Sequence, residues 1–323
     1  MKTTKVAIIG LGHIGKRHFQ ILINDPRFEV IALADSQVKT HEGYQVYQDH
    51  LSLFDAHPDL DLVSVCTPNY LHDSISQDAL NDGYHVLCEK PIALSRKSAE
   101  SMINAALNQS RSIFCMMQNR YSPISLWLKE VVDSGALGEI YQTNVTGYWN
   151  RDERYYNPSD WKGSKEEDGG TLFTQFAHYV DMLYWLYGDL TIRGAQFENY
   201  SHQETIEFED SGNFQFGFGN RGMGNFQYST STWDRNFESS ITLLGEKGTV
   251  KVGGQYMDKI VYCHIKDYEM PNLVTRSNIE NMALVYDNIH AVLSQTSKVM
   301  TNAMDGLKVV DIIERIYGQA HSY

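Results

Sequence analysis

The hexapeptide Gly10-Leu11-Gly12-His13-Ile14-Gly15 constrains this chain more than any other feature. It sits between an apolar run, Lys5-Val6-Ala7-Ile8-Ile9, and an amphipathic segment from about Ile14 to Asn24. A strand, a glycine turn and a helix in that order make a dinucleotide-binding unit. Gly10 permits the turn, Gly12 lets the backbone approach a pyrophosphate, and Gly15 allows the helix to pack closely on the strand. The helix start adds free N–H groups and the positive end of a dipole, so His13 and Ile14 join the glycines as cofactor-binding positions. A second strand, Glu29-Val30-Ile31-Ala32-Leu33-Ala34, ends at Asp35, 20 residues beyond Gly15. A carboxylate there accepts hydrogen bonds from the adenosine ribose hydroxyls and repels a 2′-phosphate. Ser36-Gln37 offers no basic replacement, so NAD rather than NADP is the expected cofactor.

The alternation continues to about residue 120. Leu62–Cys66, His85–Cys88 and Ser112–Cys115 read as further buried strands, with helical stretches near Asp73–Asn81 and Ser95–Gln109 between them. Apolar strands alternating with helices predict a parallel sheet covered on both faces. After Tyr121 the pattern changes. Glu139–Trp149, Leu190–Tyr200, Thr205–Glu209, Asn213–Gly219, Gly222–Thr230, Phe237–Leu244 and Lys259–Ile265 look like strands that alternate polar with apolar, joined by turns such as Gly219-Asn220-Arg221-Gly222. One strong helix is expected from Leu172 to Tyr187, and others at Met282–Ser294 and Gly306–Tyr317. The expected fold class is α/β: a Rossmann doubly wound parallel sheet over residues 1–120, then an α+β domain with a large, mainly antiparallel open sheet over residues 121–323. The second domain would bind substrate and carry subunit contacts.

Composition narrows the partners. With 40 acidic against 27 basic side chains the 323-residue chain has a formal charge of −13, which argues against nucleic acid and anionic membranes as partners. No secretory signal and no apolar run of membrane-spanning length is legible. The four cysteines form no CxxC pair, so no metal site is expected. Cys66, Cys88 and Cys115 end apolar runs and read as small buried hydrophobes. Free thiols suit a reducing compartment, and a cytoplasmic location is expected.

Two further stretches follow strands, where the ligand crevice of such sheets opens: Cys66-Thr67-Pro68-Asn69-Tyr70-Leu71-His72 and Cys88-Glu89-Lys90-Pro91. A third lies in the other domain, Asp168-Gly169-Gly170-Thr171-Leu172-Phe173-Thr174-Gln175-Phe176-Ala177-His178-Tyr179-Val180-Asp181. With the glycine motif, these resemble the Gfo/Idh/MocA family of sugar and polyol oxidoreductases over nearly the whole chain. The resemblance implies that Lys90 lies beside the nicotinamide and the reacting hydroxyl, with Pro91 often cis. It implies that His178 binds that hydroxyl and can act as base. Thr67, Pro68, Asn69, His72 and Glu89 join Lys90 along the cofactor, with Asn69 and His72 bordering the nicotinamide ribose or serving as ordinary loop caps. The residue types suit the chemistry: a near-neutral base takes the hydroxyl proton as hydride leaves, and a cation steadies the developing alkoxide. Lys90 and His178 can fill either role. Read by spacing alone, His178 flanks a core stripe, and Asp181 could orient its imidazole.

One departure is informative. Many family members carry an aspartate four residues before the histidine, where this chain has Thr174, followed by Gln175. That run resembles instead the branch oxidising C3 of UDP-N-acetylglucosaminuronic acid. A cluster just upstream, Arg151, Arg154, Tyr156 and Trp161, offers cations for carboxylate or diphosphate and aromatic faces for sugar or uracil. With Thr174, Gln175, Lys90 and His178 these form the expected substrate site, and Gln118-Asn119-Arg120-Tyr121 is placed to reach it. Two other readings stay open here: a dehydrogenase of free sugars or polyols, and a non-catalytic NAD-binding regulator of the same fold. Family habit and the open sheet imply a homodimer or homotetramer.

Overall fold

Strands that are apolar at every position are stable only where both faces of their sheet are covered. The computed structural model, which describes residues 3–319, places them so. Strands β1 (Thr4–Ile9), β2 (Phe28–Ala34), β3 (Thr40–His41), β4 (Tyr44–Tyr47), β5 (Leu62–Val65), β6 (His85–Cys88) and β7 (Ile113–Cys115) form one seven-stranded sheet in the order β3-β4-β2-β1-β5-β6-β7. All pairings are parallel except the short β3–β4 edge. Val6, Ile8, Leu62, Val63, Val86 and Leu87 are wholly buried. Helices α1 (His13–Ile23), α2 (His50–Ala56), α3 (His72–Asn81) and α4 (Arg96–Asn108) make the connections. Strand order reverses between β1 and β5, and the register aligns Ile9 with both Ala34 and Val65, and Val65 with Cys88. The residues that follow those ends are Gly10, Asp35, Cys66 and Glu89. One edge of the sheet therefore collects all the cofactor motifs at its topological switch point.

The second sheet is ordered β14-β13-β12-β8-β11-β10-β9. Its strands are β8 (Ile140–Tyr148), β9 (Thr191–Glu198), β10 (Ser211–Phe218), β11 (Gly222–Ser229), β12 (Glu238–Gly245), β13 (Gly248–Gly253) and β14 (Lys259–Ile265). Pairing is antiparallel except where Gln142–Tyr148 runs parallel to Met223–Ser229. One face is core, with Val145, Phe214, Phe216, Phe226, Ile241, Leu243 and Val250 almost fully buried, while Tyr141, Met223, Val261 and Tyr262 remain exposed. Helices α5 (Pro123–Asp133), α6 (Glu153–Tyr156), α7 (Thr171–Thr174) and α8 (Ala177–Tyr187) belong to the same part of the chain. Phe176 and Tyr179 set their rings against Phe226. Gly147 makes that approach possible, since a Cβ there would lie 2.5 Å from the Phe176 ring.

Three local expectations give way. Thr205–Glu209 is no strand but part of a turn, in which Thr205 and Ile206 N–H groups both donate to the His202 carbonyl. The helix expected from Leu172 to Tyr187 is two, α7 and α8, broken at Gln175–Phe176. Strand β13 was hidden in the sequence by its glycine-rich ends. The helices α9 (Asn278–Leu293) and α10 (Ala303–Tyr317) also divide differently from a cut at residue 120. The chain forms two compact units, one running to Met117 and including Met282–Val310, the other Gln118–Asn281 and Asp311 onward. Contacts distant in sequence decide this. Tyr286 packs edge-on against Phe28, and the Thr301 carbonyl accepts from Cys115 N–H, whereas Tyr317 packs on Phe173 and Phe197. Among the described residues no helix is long and apolar enough to cross a membrane, and no cluster could hold a metal ion.

Candidate active site

The first unit holds the cofactor motifs. Gly10 has φ +92°, and a Cβ there would come within 2.6 Å of the Cys66 carbonyl oxygen. A Cβ on Gly15 would lie 1.8 Å from the Gly10 carbonyl oxygen, so neither site admits a side chain. Gly12 differs: nothing lies within 4 Å of a Cβ placed on it. Open space above that glycine, at the N-cap of α1, is what a pyrophosphate approaching the helix N–H groups of His13 and Ile14 requires. Asp35 Oδ2 accepts from Leu11 N–H at 2.7 Å, and Oδ1 from Gln37 and Val38 N–H at 2.8 and 2.9 Å. Oδ2 keeps acceptor capacity for a ribose hydroxyl, and the carboxylate's charge repels a 2′-phosphate. The Thr67 hydroxyl beside the glycine turn is buried without a hydrogen-bond partner. These residues fit NAD.

Pro68 and Asn69 open a short 3₁₀ turn, Asn69–Leu71. His72, expected near the nicotinamide ribose, is buried, with Nδ1 against the Pro91 carbonyl (2.7 Å) and Nε2 against the Thr67 carbonyl (2.9 Å). It clasps the two motif loops together. Burial lowers its pKa against the pull of both carbonyls. The Lys90-Pro91 peptide is cis. Glu89 turns inward: Oε1 meets His18 Nε2 at 2.9 Å, while Oε2 accepts from the Lys90 N–H at 3.1 Å. His18 Nδ1 contacts Tyr286 Oη (2.7 Å) and Ser64 Oγ (3.0 Å), closing a buried polar chain beneath the Lys90 loop. Burial opposes charge on His18, but Cys66, Tyr286 and Glu89 outweigh it and hold its pKa well above the ordinary value. Sequence reading missed this chain. Its one signal was that His18 shares the inner face of α1 with Gly15, Phe19 and Leu22. Cys66, Cys88 and Cys115 are buried, and Cys88 is pushed far up by that burial.

The second unit holds His178 and the residues of its motif. His178 lies in the first turn of α8 and is 7% exposed. Both oxygens of Asp181, foreseen as an orienting partner, accept from buried Arg120, with Nη2–Oδ1 at 2.6 Å. Arg120 is thus committed to holding the 3₁₀ segment Gln118–Tyr121 on α8. Thr174 Oγ1 donates to the Asp168 side chain and to its carbonyl oxygen (3.1 Å). Asp168 Oδ2 also accepts from Gly163 N–H at 2.9 Å. Gln175 links the cluster: its Oε1 accepts from Arg151 Nε at 2.7 Å, and its Nε2 donates to Tyr155 Oη at 2.8 Å. Arg151 stacks near Trp149 and Tyr155, 4.8 and 5.2 Å from their ring centres. Tyr156 is buried between Tyr155 and His202, whereas Trp161 is half-buried. Arg154 stands apart from this group. It is exposed and paired with Asp152 and Asp234, so its charge is already answered.

A second feature was illegible in sequence. Glu209 is buried and accepts from Tyr228 Oη (2.9 Å) and Tyr317 Oη (2.7 Å). Tyr317 Oη in turn accepts from Leu172 N–H at 3.1 Å, and a Cβ on Gly170 would clash with it at 2.4 Å. The start of α7 is thereby seated on a residue 145 positions away. Burial pushes the Glu209 carboxyl up to about 7, against the two phenolic donors.

Known proteins resemble this chain in sequence and fold. The model of the oxidoreductase family with NAD-binding Rossmann fold matches residues 4–116, and that of the GFO/IDH/MocA C-terminal domain matches residues 126–251. The WlbA dehydrogenase of Bordetella pertussis, solved with NADH and UDP-GlcNAcA, is 28% identical, with a TM-score of 0.89 over 98% of this chain and 96% of that one. The 2,7-anhydro-N-acetylneuraminate hydratase of Mediterraneibacter gnavus is 27% identical over 78% of this chain and 68% of its own length. A levoglucosan dehydrogenase of Pseudarthrobacter phenanthrenivorans is 23% identical over 83% and 78%. The glycine cradle, the Asp35 clasp and the two matched domains identify the chain as a member of the Gfo/Idh/MocA family of NAD-dependent oxidoreductases.

Proposed function

We propose that this enzyme oxidises a ring hydroxyl, at C3, of a UDP-linked N-acetylated uronic sugar. The observation that carries the reading is the near full-length likeness, at 28% identity, to a dehydrogenase solved with UDP-GlcNAcA. Two features support it. The hydratase relative is named for another acidic sugar. Thr174, in place of a carboxylate, spends its hydroxyl on Asp168, which leaves Arg151 and Gln175 as the prominent polar groups of that segment.

Bound NAD supplies the hydride acceptor. The protein's own part falls to Lys90 and His178. The hydroxyl proton leaves to one of them as the C–H hydride departs, and the other donates to the forming carbonyl oxygen, so a secondary alcohol becomes a ketone. The Glu89 contact to Lys90 N–H holds that loop, and helix α8 presents His178 in its first turn, where a general base is rigidly carried. We further propose that exposed apolar residues of the second sheet, Met223 and Tyr262 among them, support a homodimer or homotetramer, and that the free cysteines, three of them buried, suit a cytoplasmic setting.

The test is nicotinamide absorbance when protein and NAD meet UDP-sugars, free hexoses and inositols. NADH should form with UDP-N-acetylglucosaminuronic acid, with kcat falling at least about 100-fold in Lys90→Ala and in His178→Ala. Turnover confined to free polyols would move the assignment to a polyol dehydrogenase. Cofactor binding with no turnover on any compound would favour the regulator reading.

A further inference from the structure

We infer that Arg151 and Lys162, set around the ring of Tyr155, form an anion seat that takes an acidic group of the substrate, a sugar carboxylate or a diphosphate. This rests on the reading of the substrate as an acidic nucleotide sugar. The chain carries a net charge of −13, so cations have carboxylates in excess to pair with, as Arg154 does. Arg151 and Lys162 pair with none among the described residues. The acceptors around Arg151 are all neutral: Gln175 Oε1 at 2.7 Å, the Asn150 carbonyl at 2.6 Å and Asn236 Oδ1 at 3.2 Å. They occupy Nε and Nη1, and Nη2 has no acceptor among the described residues. Lys162 Nζ lies 3.9 Å from the Tyr155 ring centre and makes one long hydrogen bond, 3.5 Å, to the Tyr155 carbonyl.

Holding two cations half out of water without a counter-charge is costly, and burial pushes both pKa values down. The Asp168 carboxylate offsets part of that cost at Lys162 without forming an ion pair with it among the described residues. Burial pushes the Tyr155 phenol far up, so it stays neutral, and its oxygen already accepts from Gln175. The Asp168 carboxylate is engaged by Thr174 and Gly163. Ring faces and neutral oxygens hold the two cations in place and leave Arg151 Nη2 and most of the Lys162 ammonium unspent, which is how a site made for an incoming anion differs from an internal salt bridge. Asn236, which holds Arg151 Nη1, also lines an open cavity of about 590 Å³ with Trp233 and Phe237.

The test is calorimetric titration of the NAD-loaded protein with glucuronate, inorganic pyrophosphate and UDP-N-acetylglucosaminuronic acid. Three proteins are compared: wild type, Arg151→Gln and Lys162→Met. Arg151→Gln can disturb Gln175, whereas Lys162→Met deletes a single long hydrogen bond and keeps the result interpretable. Each variant should weaken anion binding by about 10- to 100-fold, the range for a charged hydrogen bond. Loss for glucuronate and the nucleotide sugar with pyrophosphate unaffected assigns the seat to the carboxylate. Loss extending to pyrophosphate assigns it to the diphosphate, and both results support the seat. Unchanged binding of all three anions in both variants overturns it, as does a wild-type protein that binds none of them. Failure of the substrate reading looks different: wild type turns over no nucleotide sugar, yet the variants still lose anion binding.

Discussion

The two units present their candidate residues on different materials. In the first, the ligand-facing surface is backbone: a glycine turn, helix N–H groups, and carbonyls clasped by His72. In the second the polar groups of the motif segments are side chains: Arg151 on Gln175 and Thr174 on Asp168, with Tyr317 on buried Glu209 as support. Backbone donors point where the fold sends them, whatever side chains surround them, so that half suits a cofactor whose phosphates never vary. Side-chain donors change with one substitution, so the other half can be retuned to a new sugar without disturbing the sheet.

If that contrast holds, the largest effect comes from adding one methyl group to the backbone half. Gly15→Ala places a carbon on the Gly10 carbonyl, and no flexible group is there to yield. The expected cost is about 3 kcal/mol or more in stability, with NAD binding lost, as thermal unfolding and cofactor titration would report. Wild-type NAD affinity in this variant would break the comparison at its root.

The next effect belongs to the side-chain half and depends on pH. Burial raises the Glu209 carboxyl from 4.5 to about 7. The folded state therefore holds a proton that the unfolded chain gives up near pH 4.5, and the stability tied to that proton is present below this window. It is lost as pH rises from about 4.5 to about 7, in total about 3 kcal/mol. Denaturant midpoints measured across that range should fall in wild type, and Glu209→Gln should flatten the slope while keeping an acceptor for Tyr317. Equal slopes in the two proteins would contradict the assignment.

Asp35→Ala comes third. It removes the acceptor foreseen for the ribose and frees three N–H groups, from Leu11, Gln37 and Val38. NAD affinity should drop about 10- to 100-fold, with a smaller loss for NADP, because a repelling charge also goes. A uniform loss for both dinucleotides would place Asp35 among purely structural loop caps. The smallest change is expected at Arg154, already paired at the surface with Asp152 and Asp234. Arg154→Ala should leave KM within about threefold of wild type, unlike Arg151→Gln. A large rise in KM would erase the distinction between paired and unpaired cations.

The cofactor half was legible because its constraints are local. A glycine turn, a strand before it and a carboxylate at the next strand end lie within Lys5–Asp35, and short-range sterics decide what they become. The small hairpin of β3 and β4 was not legible, since two- and four-residue strands carry too little periodicity. In the second unit the strands of the open sheet could be read from alternation, yet the break between α7 and α8 could not. Apolar residues run on both sides of it, and the Phe176 ring packing that accompanies it comes from Gly147 and β11.

Family resemblance alone pointed to Lys90 and His178; by itself the sequence determined the Rossmann half, the preference for NAD, and the basic and aromatic character of the Arg151 segment. Each of the latter follows from residue type and spacing within a single element or turn. Only the tertiary structure decided which cations are spent and which are spare. It also turned Asp181 to Arg120, buried Glu209 beneath Tyr317, joined His18 to Glu89, and returned Met282–Val310 to the first unit. Those outcomes depend on which side chains meet across long stretches of chain, and on the burial that sets the strength of a charge once they meet.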